Sequence, residues 1–225
     1  MVLSAMIFFT GCGGKYSGAG EPVEKIKASL TDVPDYSIIL EDMKKEGNFI
    51  SEYFHKYRII VGEQTRITNW LNVSEKFYKA NKGFLGMTLM AKKDGKAISS
   101  IAPPGYQYVG DSRYGSWRNN DRGGSFWEFY GKYALFSTLL GGFHRPVYRN
   151  DYNLYSRHRS RNAPYFGMNK EYGTNGSFTK TTRPNFYSRN IQRTRTRSTS
   201  FQEKVAKRTG RTRTGFRSRA GGFGK

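Results

Sequence analysis

Apolar positions at Val23, Ile26, Ala28 and Leu30 recur at the spacing of one helix face, which predicts a short helix there. The turn residues Asp32, Pro34 and Asp35 end it. β-Branched and aromatic residues then dominate residues 36–43 and 49–61, with the polar turn residues Gly47 and Asn48 between them, and this pattern predicts an antiparallel hairpin. Residues 67–71 open either a helix or another strand. Asp94-Gly95 between the apolar runs 86–91 and 97–98 is a strong signal for a second hairpin. Together these elements predict an α+β fold over residues 23–103, a small antiparallel sheet with one to three helices. Glu52, Lys56, Arg58, Glu63 and Arg66 mix signs along it and read as a solvated face.

Pro103-Pro104-Gly105 marks a boundary, and residues 104–150 form an aromatic and Gly-rich extension. Tyr106, Tyr108, Tyr114, Trp117, Trp127, Phe129, Tyr133 and Phe136 crowd this stretch. Residues 125–140 predict a helix with apolar residues around most of its circumference, which either covers the sheet or meets lipid headgroups. From residue 151 onward Tyr, Asn, Ser, Arg and Gly dominate, a composition that predicts a disordered tail over 151–225. One exception is a short helix over 200–208, with Ser200 as N-cap and Glu203 at the capping-box position.

Charge sharpens the division. The chain carries 38 basic and 17 acidic residues, net +21, and residues 151–225 hold 18 of the basic but only 3 of the acidic ones. Arginine, which outnumbers lysine there, pairs bidentately with phosphate and carboxylate. A polyanion is therefore the expected partner, bound by Arg157, Arg159, Arg161, Arg193, Arg195, Arg197, Arg208, Arg211, Arg213, Arg217 and Arg219. The Arg-Thr alternation over 193–197 is expected to spread charge rather than to build a helix face, giving salt-sensitive binding that reads no sequence.

Candidate catalytic chemistry is sparse. Ser116 and Ser125 lack the frame of a nucleophile elbow, general-base candidates are few with only His55, His144 and His158 in the chain, and His55 has no carboxylate or second histidine at ligand spacing. No GxGxxG or Walker spacing occurs, one cysteine cannot build a disulfide framework, and no apolar run reaches membrane-spanning length. The expectation is a non-enzyme with no cofactor, no metal and no evident small-molecule substrate.

Residues 1–12, an apolar run ending Phe9-Thr10-Gly11-Cys12, resemble a bacterial lipoprotein signal. A bulky residue and two small ones precede an invariant cysteine in that class. Phe9 replaces the usual Leu, and the charged n-region is missing. The resemblance implies removal of residues 1–11, lipidation of Cys12, and, since Gly13 rather than Asp follows, outer-membrane sorting in a Gram-negative cell. Residues 12–22 would then be a Gly-rich spacer. The reading that follows is a lipid-anchored envelope protein whose basic tail binds an anionic polymer or lipid headgroups. The alternative is a cytosolic protein that binds RNA or single-stranded DNA through the same tail.

Overall fold

A computed structural model of the chain describes residues 21–47, 50–119, 124–140 and 146–212. It contains two units, a body that ends at Thr182 and a second unit from Arg183 onward.

The body opens with helix α1 (Pro22–Ala28), which has Pro at its first turn and buries Val23 and Ile26. Strands β1 (Tyr36–Glu46) and β2 (Glu52–Val61) form the expected hairpin, with register Ser37 opposite Ile60 through Glu46 opposite Glu52. Inward and outward positions alternate along β2, where Tyr53, His55, Tyr57 and Ile59 are buried. Residues 64–73 give two short strands, β3 (Gln64–Ile67) and β4 (Leu71–Val73), both paired with β2. Ser74 caps helix α2 (Glu75–Asn81) by accepting a hydrogen bond from the Phe77 N–H. Strands β5 (Thr88–Lys93) and β6 (Lys96–Ile98) complete the sheet, which runs β3-β2-β1-β5-β6 with β4 also beside β2. Their Asp94-Gly95 turn has positive φ at both residues, as a type I′ hairpin requires.

The boundary expected at 103 does not separate two parts of the body. Ile39 and Ile60 of the first sheet share one core with Tyr106, Tyr108, Tyr114, Trp127, Phe129 and Phe136. A short 3-10 helix, Tyr106–Tyr108, lies on β1, where the Gln107 side-chain amide donates to the Ser37 hydroxyl. Gly105 permits this approach: its φ is +85°, and a Cβ there would stand 2.7 Å from the Phe136 Cβ. Every residue of Tyr36–Leu40 is buried, so β1 is covered on both faces.

Nor do residues 125–140 form one helix. Ser125–Phe129 is strand β8, paired with β7 (Gly115–Asn119) and with β9 (Val147–Tyr148) in a second antiparallel sheet. Aromatic residues favour the pleated, half-buried surface that β8 offers. Trp127 and Phe129 face the core, and Gly115 lets β8 come close, since a Cβ there would meet the Glu128 carbonyl oxygen at 2.1 Å. Only Leu135–Leu140 is α-helical (α3), and it buries Phe136 and Leu140. The aromatic segment thus packs inside the body.

The expectation of disorder from residue 151 also fails up to Thr182. Helix α4 (Arg149–Ser160) sends Tyr155 into the core, and Tyr165 and Tyr172 follow it from the next loop. Tyr106 and Tyr165 both donate their hydroxyls to the Asp151 carboxylate, so that buried charge has partners. The loop is hydrogen-bonded to earlier parts of the chain. The Tyr165 N–H donates to the Ile101 carbonyl at 2.9 Å, and the Thr174 hydroxyl donates to the Lys82 carbonyl at 2.6 Å. Helix α5 (Ser177–Thr182) closes the body. A count of aliphatic residues underrates this segment, because each buried tyrosine removes on the order of 150–250 Å² from water. The fold is α+β, with two antiparallel sheets and more helices than the sequence pattern alone predicts.

The described part of the second unit holds one helix, α6 (Pro184–Thr212), 29 residues long with Pro at its first position. The short helix expected at 200–208 is its C-terminal part. Thr196 and Thr199 do not break it, since their hydroxyls donate to the Gln192 and Arg195 carbonyls one turn back.

Candidate functional site

Along α6, Arg189, Arg193, Lys204, Lys207 and Arg208 are separated by 4, 11, 3 and 1 positions. At 100° per residue these positions fall on one side of the cylinder. Positions 197 and 211 have the same phase, whereas Arg195 stands on the opposite side. The alternation that reads as spread charge in an extended chain therefore becomes a one-sided cationic surface once the backbone is helical. Glu203 is the one acidic residue of the helix. Beside the cationic side runs an exposed apolar stripe, with Ile191 at 53%, Phe201 at 68% and Val205 at 43% exposure. Isolated exposed apolar residues are ordinary, but three in one phase beside a row of cations make an amphipathic helix.

The predicted arginines fall into three groups. Arg157 and Arg159 end α4, with Arg161 just past it, and all three are exposed on the body, where cations complement a helix C-terminus. Arg193, Arg195, Arg197, Arg208 and Arg211 belong to α6. Arg213, Arg217 and Arg219, like Cys12 and the whole signal-like segment, lie outside the described residues. Lys204, Lys207 and Arg189 complete the cationic side and were legible from their spacing once a helix through 184–212 was assumed.

The body carries a second cationic feature on the outer side of β1 and β2. Lys44 Nζ lies 5.0 Å from the centre of the Phe54 ring and 4.6 Å from that of Trp70, and Lys56 Nζ lies 5.6 Å from Trp70. These are cation–π distances. Lys44 also pairs with Glu46 at 2.8 Å.

His55 is not a surface base. It is fully buried under Phe77 and Tyr78 of α2, with the Tyr57 hydroxyl 3.0 Å from its Nδ1 in hydrogen-bonding contact. Its Nε2 has no partner among the described residues. Burial lowers its pKa to about 4, so the ring is neutral at physiological pH. His158 Nδ1 lies 3.0 Å from the Pro164 carbonyl at the end of α4, and His144 lies outside the described residues. Among the described residues no three His, Cys, Asp or Glu side chains gather to hold a metal ion. No described helix is long and apolar enough to cross a membrane. No family model, curated protein or solved structure matches this chain.

Proposed function

We propose that this chain is a non-catalytic protein of the bacterial cell envelope that lies on an anionic surface, tethered by a lipid on Cys12 and held by the cationic side of α6. The observation that carries the reading is the one-sided placement of Arg189, Arg193, Lys204, Lys207 and Arg208 beside Ile191, Phe201 and Val205. An interfacial helix needs that combination: cations for phosphate headgroups and an apolar stripe for the acyl boundary. Each Lys or Arg near an anionic bilayer contributes about 1 kcal/mol, and one weak anchor becomes a stable one when a second signal joins it. The signal-like segment supplies the other anchor in this reading and places the protein on the outer membrane if the cell is Gram-negative.

Vesicle co-sedimentation of the full-length Cys12→Ser chain isolates the helix from the lipid. The expected result is binding to vesicles containing phosphatidylglycerol but not to pure phosphatidylcholine. High salt should release the protein, and replacing the five cations by Gln should abolish binding. If that variant sediments as wild type does, α6 is not the interface. Intact mass of the unmutated chain expressed in a bacterium tests the anchor separately, through loss of residues 1–11 and gain of acyl mass.

A second reading has its own observation. Phe54 and Trp70 beside Lys44 and Lys56 form the aromatic and cationic surface on which single-stranded nucleic acid stacks. If this is the function, Trp70→Ala weakens binding of a single-stranded oligonucleotide by about 1–3 kcal/mol and leaves vesicle binding unchanged.

A further inference from the structure

A cleft of about 350 Å³ opens between α1 and the β2-β3-β4 edge of the sheet. Ile26 of α1, Ile59 of β2, Leu71 of β4 and Ile67 of β3 give it apolar walls. Two cations, Lys25 and Arg66, also border it. Register places Arg66 on the same face as Ile59, directly opposite it in the β2–β3 pair. Neither cation has an acidic partner among the described residues. The acids nearest in sequence to Lys25 are engaged elsewhere. Glu24 pairs with Lys27 at 3.3 Å, and Glu21 accepts hydrogen bonds from the Ser74 hydroxyl and N–H.

An apolar cleft of this size, with a few convergent polar groups, is the usual form of a small-molecule site. At about 30 Å³ for each water-sized group, it holds roughly a dozen heavy atoms. Apolar walls select an apolar body, and two uncompensated cations select an anionic head, for which arginine offers a bidentate fork. We propose that this cleft binds an amphipathic anion, a carboxylate or phosphate monoester on an aliphatic body of about ten carbons. The aliphatic part lies against Ile26, Ile59 and Leu71, and the head meets Arg66 and Lys25. This site does not depend on α6 or on the proposed envelope role.

Decanoate is the probe, titrated calorimetrically into the full-length Cys12→Ser chain, with decanol as the uncharged control and backbone amide shifts to locate binding. One decanoate should bind per chain, with shifts centred on Ile26, Ile59, Arg66 and Leu71. Decanol and the Arg66→Gln variant should each bind about tenfold more weakly, the loss expected for one charge-assisted contact. Because Arg66 is exposed on a short edge strand, Arg66→Gln should keep the fold. The Gln variant of the five α6 cations should bind decanoate as wild type does. The proposal is overturned by absence of binding, by decanol and decanoate binding alike, by indifference to Arg66→Gln and Lys25→Gln, or by shifts confined to α6.

Discussion

His55 is fully buried. Phe77, Tyr78 and Tyr57 surround its ring, and its Nε2 has no partner among the described residues. Charging it inside the body is costly, which is why its pKa falls to about 4. In the unfolded chain it takes up a proton near pH 6.5. Between those values the unfolded state holds the extra proton. The stabilisation is therefore complete above about pH 6.5, declines as pH falls through this window, and is gone below about pH 4. The window corresponds to about 3 kcal/mol. Urea unfolding at about pH 7.5 and about pH 4 should show His55→Gln losing about 3 kcal/mol less than wild type over that interval, because Gln contacts the Tyr57 hydroxyl without titrating. Equal losses in the two proteins would mean that His55 is solvated. Its burial was not stated by the sequence, because that depends on α2 crossing the inner face of β2.

At the scale of elements, the β1–β2 and β5–β6 hairpins were legible because their signals are local: alternating burial and an Asp-Gly turn. Residues 125–140 were not. Their apolar residues fit a helix or a strand, and the deciding contact is the approach of β8 to Gly115, which no local pattern encodes. Residues 151–182 were misread because Tyr155, Tyr165 and Tyr172 stand among polar neighbours and are buried through contacts distant in sequence: Tyr165 bonds to Ile101 and Asp151, the Tyr172 hydroxyl donates to the Leu140 carbonyl, and Tyr155 packs against Tyr106. Five of the six α6 arginines were found one by one and Arg189 was missed, and the side that all but Arg195 share was hidden by a two-residue alternation that has no meaning on a helix. Thr196 separates the two views of this region, since it lies before residue 200 yet deep inside α6. Thr196→Pro removes one main-chain donor and clashes with the preceding turn, at about 3 kcal/mol. Circular dichroism should therefore show a clear loss of helix in the full-length variant. An unchanged spectrum would confine the helix to residues 200–208.

At the scale of the molecule, two kinds of sequence are joined. The core of the body draws on residues from Ile39 to Tyr172, so the first sheet, the aromatic segment and α4 share one core. From Arg183 onward the chain has thirteen basic residues and one acidic residue, and none of its described residues belongs to that core. Self-repulsion of so many like charges favours extension over collapse, and a helix gives them a regular spacing. Stability and charge are thus assigned to different units. Ending the chain after Asn190 tests this while keeping the buried Phe186, and it removes eleven of the 38 basic residues. The calorimetric melting midpoint of the body should stay within about 3 °C of wild type, which for a body of this size corresponds to about 1 kcal/mol. The same truncation should elute from a cation-exchange matrix at much lower salt and lose its binding to anionic vesicles. A fall in midpoint well beyond that range would show that the body depends on α6 for its stability, and the helix would then have to be counted as part of the fold rather than as a surface it presents.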